Sequence, residues 1–233
     1  MLTRKMIAIV VPVYKEEKSI ERFIRHLYSL DGDFKVYIAY ADGGDKTLEV
    51  LEKLNKEFPF KIVMSEKSRS VQMNTGFKET SEDKIMFLHA DSYLDKDAIV
   101  KMDKALDKYS AAAIKIKFTS KRFLMKVVAF RSNIRLKLYN IAYGDQVMSF
   151  RREKFIDMGM FKELPLMEDY EMSRRLKKEG TRIKVIDSYV TTDARRFENG
   201  GILKTIILHK KLKFMFLLGY PIEEITRRYR DER

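Results

Sequence analysis

The chain has 233 residues, 45% of them hydrophobic, and no cysteine. That length and apolar content suit one large α/β domain or two small ones, and exclude a disordered chain, a disulfide scaffold and any thiolate metal site. The formal net charge of +13 calls for an anionic partner: nucleic acid, a phosphorylated small molecule or anionic lipid.

Residues 6–12 read as a strand rich in Ile and Val. Although Arg4 and Lys5 precede it, the apolar run is short, a first strand rather than a secretory signal. Ser19 and its neighbours open a helix with Ile20, Phe23, Ile24 and Leu27 on one face. Residues 34–41 form the second strand, which ends in the turn Asp42-Gly43-Gly44-Asp45. A helix follows through Leu48, Leu51 and Leu54. Residues 61–64 form a third strand, 65–70 a polar loop and 71–80 a helix. The fourth strand, residues 84–89, is the apolar run Ile85-Met86-Phe87-Leu88, which breaks into His89-Ala90-Asp91. A short apolar run bounded by polar residues suits a strand buried on both faces. Strand and helix alternate with short connections, which implies a parallel, doubly wound sheet.

Ligands of such sheets gather at the carboxyl ends of the strands. Tyr14 and Glu16 follow the first strand, Asp42 the second, Arg69 and Gln72 the third, and Asp91 the fourth. Each has two readings. Asp91 holds a divalent metal or caps the next helix. Asp42 meets a base or ribose, or only builds a turn. Tyr14 lies on a base or covers the sheet edge. Arg69 forks onto a diphosphate or is solvated. Gln72 and Asn74 are two apart on a helix, so at most one faces the cleft. No dinucleotide fingerprint or phosphate loop is present.

Residues 95–109 read as a helix and 111–118 as a strand. Residues 108–144 then hold no acid, while basic residues interleave with Phe123, Val127, Phe130, Ile134 and Leu138. This is a basic amphipathic helix, facing either a membrane surface or the core. The pattern returns at residues 201–220, again without an acid, which favours the membrane surface. No run is long enough to span a bilayer, and no nucleic-acid module is visible. Gly144-Asp145-Gln146 lies between the two segments. Glu168 and Asp169 stand where a helix begins after Pro165. Acids are routine there, yet a carboxylate can also take a proton from an attacking hydroxyl. Arg195-Arg196-Phe197 follows a strand at 182–186. No Gly/Ser/Pro-rich linker divides the chain, so it reads as one domain with a C-terminal extension.

Several stretches in this order resemble family-2 glycosyltransferases of the GT-A fold: Pro12-Val13-Tyr14-Lys15-Glu16-Glu17, Asp42-Gly43-Gly44, Gln72-Met73-Asn74-Thr75-Gly76, Leu88-His89-Ala90-Asp91, Gly144-Asp145-Gln146, Met167-Glu168-Asp169 and Ser173-Arg174-Arg175-Leu176. The resemblance covers nearly the whole chain and is nearest to small stand-alone bacterial and archaeal members. It implies a Rossmann-like, mostly parallel central sheet flanked by helices. A GT-A domain would fill 1–200, with a nucleotide-binding half (1–110) and an acceptor and catalytic half (111–200). Residues 201–233 would be the amphipathic helical extension. It implies an inverting, metal-dependent hexosyltransferase that moves a sugar from a nucleotide-sugar donor to a hydroxyl or phosphate acceptor. Together with the basic segments, it suggests a lipid-linked acceptor and a cytoplasmic protein peripheral on the inner face of the cell membrane.

Residue by residue, the resemblance frames the nucleoside with Pro12, Tyr14 and Glu16 and sets Asp42 at base or ribose. It puts Arg69 and Gln72 at the nucleotide and Arg196 near the leaving diphosphate. Asp91 would hold Mn²⁺ or Mg²⁺. Asp169 would be the catalytic base with Glu168 beside it, and Asp145 and Gln146 would lie on the acceptor side. Three positions depart from the family pattern. Lys15 stands in place of Asn, the turn after Asp42 is two residues shorter, and His89 replaces the first carboxylate of the Asp-x-Asp motif. His89 is then either a manganese ligand or a hydrogen-bonded strand residue. Two rivals remain: a non-catalytic nucleotide-sugar-binding relative and a basic nucleic-acid-binding protein.

Overall fold

Strand β1 (Ile7–Val13) runs through the middle of the molecule and serves two cores. Its odd residues, Ile7, Ile9, Val11 and Val13, join one apolar cluster; Ala8 and Val10 join the other. This is the two-residue period of a strand covered on both faces. In the computed structural model, residues 6–194, 197 and 200–231 are described. The other strands are β2 (Phe34–Tyr40), β3 (Phe60–Met64), β4 (Lys84–Phe87), β5 (Ser92–Leu94), β6 (Ala111–Phe118), β7 (Ser149–Arg151) and β8 (Ile183–Thr192). They form one sheet in the order β3-β2-β1-β4-β7-β6-β8-β5. The pairs β1–β2, β2–β3, β1–β4 and β6–β8 are parallel. β7 runs against β4 and β6, and β5 against β8. The mostly parallel sheet flanked by helices is therefore present.

Helices α1 (Ile20–Leu27), α2 (Thr47–Leu54) and α4 (Ala98–Leu106) cover one face through Phe23, Ile24, Leu51, Ile99 and Met102. The other face carries α3 (Arg69–Lys78), α5 (Phe123–Tyr139), α6 (Arg152–Asp157) and α7 (Glu168–Lys178). Met73, Phe77, Leu136, Phe155, Met172 and Leu176 pack there. Helices α8 (Ile202–Leu217) and α9 (Ile222–Asp231) pair with each other. Leu208, Leu212, Met215 and Ile225 close over Leu166 and Met167, directly before α7.

Two expectations change, and one left open between core and surface is decided. The helix expected from residue 95 begins at Ala98, because Asp95 instead joins β8: its backbone N–H donates to Tyr189 O, and its carboxylate accepts from Tyr189 N, both at 3.0 Å. Strands β5 and β7 and helix α6 were not foreseen; elements this short show no period. The apolar stripe on α5 faces outward, with Phe123, Phe130 and Leu138 at 79%, 64% and 67% exposure. Met125 and Leu136, from the opposite side, are buried. Among the described residues no helix is long and apolar enough to cross a membrane.

Candidate active site

Because β7 is antiparallel to β4, the turn that enters β7 lies at the carboxyl edge of the parallel strands. Met86 pairs with Ser149, and Phe87 N donates to Met148 O at 3.1 Å. Continuing both chains past that bond brings His89 and Asp91 beside the 3₁₀ turn Gly144–Gln146. A Cβ on Gly144 would lie 2.7 Å from His89 Nε2 and 3.3 Å from Asp169 Oδ2, so only glycine fits between imidazole and carboxylate.

Asp169 is held by two backbone donors. Gly144 N donates to Oδ2 at 2.7 Å and Tyr170 N to Oδ1 at 2.6 Å. The side chain remains partly open. Glu168, by contrast, is 1% exposed and paired with Arg69, whose Nε donates to Oε1. Its Oε2 is buried without a partner among the described residues. Burial raises the Glu168 carboxyl and Asp169 adds to this, while Arg69 opposes both. Burial works against the Arg69 charge, yet Glu168 and Asp169 hold that guanidinium well above its usual range.

Asp145 has one carboxylate oxygen, Oδ1, sealed from solvent with no hydrogen-bond partner among the described residues. Burial pushes its carboxyl up to about 6. Arg135 and Arg69 oppose that rise, and Asp169 and Asp91 reinforce it. Charges from the ends of α3, β4 and α7, and from α5, therefore meet at Asp145. Asp145 is thus within electrostatic reach of both Asp91 and Asp169.

Several motif residues build the scaffold beneath. The Gln72 side-chain amide donates to Val13 O and Ala39 O, both at 2.8 Å, tying the ends of β1 and β2. Asn74 brackets Phe161, donating to its carbonyl at 2.8 Å and accepting from its N–H at 3.2 Å. Both are buried, so neither faces the cleft. Gly76 lets α3 sit on the sheet, since a Cβ there would come within 2.6 Å of Val10 Cγ1. Ser173 clamps Ala142, donating to its carbonyl at 2.8 Å and accepting from its N–H at 3.1 Å.

Gln146 also turns inward, fully buried, and accepts from Arg135 at 2.7 Å. Arg135 donates to Ile141 O at 3.2 Å and lies 3.6 Å from the centre of the Tyr143 ring. Sequence reasoning missed this role. Arg135 looks like any cation on a basic helix, and only its register with the buried Leu136 and Met125 hints at an inward turn.

At the other end, the Tyr14 ring is flanked by Lys67 Nζ at 4.2 Å and Lys15 Nζ at 5.7 Å. The Lys67 ammonium lowers the Tyr14 phenol. Pro12 is the second-last residue of β1. Glu16 accepts from the Ser19 hydroxyl, and its backbone N–H donates to Thr47 Oγ1 at 2.9 Å, joining the β1–α1 loop to α2. Asp42 is both turn and open acid. Its Oδ1 accepts from Gly44 N at 2.9 Å and Tyr40 Oη at 3.2 Å, which lowers its carboxyl, yet it stays exposed. Arg195 and Arg196 lie outside the described residues. A separate basic cavity of about 250 Å³, lined by Lys137, Lys177 and Arg182 among others, sits at the C-terminal ends of α5 and α7. Cations there balance helix dipoles, and no site residue lines it.

The donor set bears on a metal. Asp91 offers a partly open carboxylate at the end of β4, with His89 two residues before it. Among the described residues, no three His, Cys, Asp or Glu side chains stand close enough to cage an ion. One open carboxylate could hold a hard cation only if a bound ligand supplied most of its other oxygens.

The family described as Glycosyl transferase family 2 matches residues 8–159, and the chain belongs to that family. Dolichol-phosphate mannosyltransferase from Pyrococcus furiosus is 29% identical over 112 residues, 46% of this chain and 32% of that protein. Poly-beta-1,6-N-acetyl-D-glucosamine synthase from Staphylococcus aureus is 25% identical over 194 residues, 76% of this chain and 47% of that protein. The chain thus spans less than half the length of either relative. Among solved structures, S. aureus TarS 1–349 matches at TM-score 0.64 and 19% identity, over 87% of this chain and 65% of that one. The mannosyltransferase PcManGT from Pyrobaculum calidifontis, in complex with GDP-Man and Mn2+, also matches at TM-score 0.64 and 19% identity. That match covers 82% of this chain and 57% of that one. These likenesses show the GT-A fold.

Proposed function

We propose that the chain catalyses an inverting transfer of a hexosyl group from a nucleotide sugar to a hydroxyl or phosphate acceptor. The carrying observation is the gathering of Asp91, Asp145, Asp169 and Arg69 around the Gly144–Gln146 turn at the carboxyl edge of the sheet. The nucleoside lies against Pro12, Tyr14 and Glu16, with Asp42 at base or ribose. Lys15 and Lys67, which flank Tyr14, add positive charge at the nucleoside end. Gln72 serves the nucleotide indirectly, by holding the ends of β1 and β2 in place. Arg69, and Arg196 from outside the described residues, balance charge on the departing diphosphate.

Asp91 would hold Mn²⁺ or Mg²⁺, which when bound supplies Lewis-acid stabilisation of that leaving group. The solved relative with GDP-Man and Mn2+ supports a divalent ion. Asp169 takes the acceptor's proton as its oxygen attacks the anomeric carbon from the face opposite the diphosphate. One base at that position gives one displacement and inverted stereochemistry. Residues 1–110 serve as the nucleotide half, 111–200 as the acceptor and catalytic half, and 201–233 as a helical extension.

The acceptor is lipid-linked and is met at the anionic inner face of the cell membrane. Ten of the thirteen large apolar side chains that stay exposed among the described residues lie on α5, α8 or the residues just after α8. Those segments are acid-free and basic, the composition of an interfacial helix. A thermal-shift screen of nucleoside diphosphates and their hexose conjugates, with and without Mn²⁺, tests the reading. Binding to the folded state raises the midpoint. A metal-dependent rise with one base supports it, and a flat response across the panel refutes it.

A further inference from the structure

The basic cavity at the C-terminal ends of α5 and α7 holds more charge than the helices require. A helix C-terminus carries about half a negative charge, so about one cation offsets the two ends together. Three converge there: Lys137, Lys177 and Arg182 line the cavity of about 250 Å³, together with Leu138 and Thr181. All three are exposed, and none has an acidic partner among the described residues. Glu179, the acid nearest in sequence, is ion-paired with Lys154 instead. The backbone walls are tied to each other. Asn140, the left-handed residue that ends α5 at φ 58°, donates to Thr181 O at 2.8 Å and accepts from Ile183 N at 2.6 Å. The fold thus fixes the frame that carries the three cations.

The place of the cavity on the molecule indicates which anion it suits. Leu138 lines it and also belongs to the outward apolar stripe of α5, with Phe123 and Phe130; Tyr139 beside it is exposed as well. A cationic cavity at the rim of an apolar face matches a lipid, whose charged headgroup lies next to its chains. The planar fork of Arg182 suits two oxygens of one phosphate. We propose that this cavity binds the phosphate of an anionic lipid headgroup and so fixes the orientation of the chain on the membrane. The inference rests on the membrane location proposed above and adds a discrete site to it. The lipid held here is an anchor rather than the acceptor. Lys177 follows Asp169 by eight residues on α7, about 12 Å along the helix at 1.5 Å per residue, which keeps the bound phosphate away from the base.

Co-sedimentation of the full chain with phosphatidylcholine vesicles containing phosphatidylglycerol tests this. Two double variants lose the same charge: Lys177→Gln with Arg182→Gln at the cavity, and Lys126→Gln with Lys204→Gln elsewhere on α5 and α8. All four side chains are exposed, so neither pair disturbs the core. A diffuse attraction would weaken equally in both, since each charge near the surface counts alike. The cavity pair is expected to weaken binding about tenfold more than the other pair, the worth of a charge-assisted hydrogen bond. Equal losses overturn the cavity site and leave the membrane location standing. Wild-type protein that never sediments with the vesicles refutes the membrane location, and the proposal with it. A second arm separates lipid from free phosphate. Dihexanoyl phosphatidylglycerol below its micelle concentration should shift the backbone NMR signals of Asn140, Gly180 and Thr181, and inorganic phosphate at the same concentration should shift them less. Equal or larger shifts with inorganic phosphate make this a site for a free anion and overturn the lipid assignment.

Discussion

At the scale of single residues, three carboxylates near the Gly144–Gln146 turn sit in different environments. Asp169, the proposed base, is held by two backbone N–H groups and stays partly open. Glu168, its neighbour in sequence, faces away and is spent on Arg69. Asp169→Asn should therefore lower turnover by about 10²–10⁴ while nucleotide affinity is unchanged. Normal turnover in that variant, measured with the donor found by thermal shift, removes the assignment. Asp145 makes a separate prediction about stability. Its carboxyl is pushed up to about 6 in the fold, from an ordinary 3.8. The unfolded chain thus ionises it more easily, and the charge costs stability above pH 6. The cost fades as pH falls through 6 and is absent below 3.8. Asp145→Asn should be more stable than wild type at pH 8 by about 1–3 kcal/mol. The gain should shrink toward pH 4, as thermal denaturation at both pH values would show. A gain that is constant with pH contradicts the buried, charged carboxylate.

At the scale of elements, much of the frame was legible in the sequence. Apolar runs located β1 and β2, which feed both cores, and apolar periodicity located α1 and α2, which each face one. It could not locate β5 or β7, each three residues long and defined only by partners distant in sequence. Nor could it say what the Gln72–Gly76 stretch does. Its polar residues looked like ligands, and the structure shows them bracing strand ends and the Phe161 loop. Gly76 belongs to that bracing. Gly76→Leu should destabilise the chain by about 1–3 kcal/mol, the usual cost of overpacking, because even a Cβ would meet Val10 at 2.6 Å. A denaturation midpoint equal to wild type contradicts the tight α3–β1 contact.

Helices α5 and α8 pose the opposite problem. Their composition suggested either core or surface, and exposure of Phe123, Phe130, Ile207 and Phe214 decides for an outer face. Replacing Phe130 and Phe214 by Ser should abolish flotation with phosphatidylglycerol vesicles at low salt and leave the fold intact. Wild-type protein that never floats removes the membrane location. Protein that instead elutes as a concentration-dependent dimer assigns the face to a second copy.

At the scale of the whole molecule, the two outward helices stand behind the chemistry. The inner side of α5 holds the Ile141–Gln146 turn through Arg135, while α8 packs on Leu166 and Met167 just before Asp169, the proposed base. The sequence showed two basic amphipathic segments and two acidic motifs as separate features. Their linkage depends on which side of each helix faces in, which composition does not encode. From the order of the motifs along the chain we propose that Asp91 and Asp169 serve one site at the carboxyl edge of the sheet. The account rests on that sharing. It is tested most directly by adding Mn²⁺ with the nucleoside diphosphate that the thermal-shift screen selects, and recording backbone NMR spectra. Paramagnetic broadening should strike the amides of Asp91, Gly144, Asp145 and Asp169 together, and spare the basic cavity at Lys137 and Arg182. Broadening confined to one of those segments, or centred on that cavity, would contradict a single shared site.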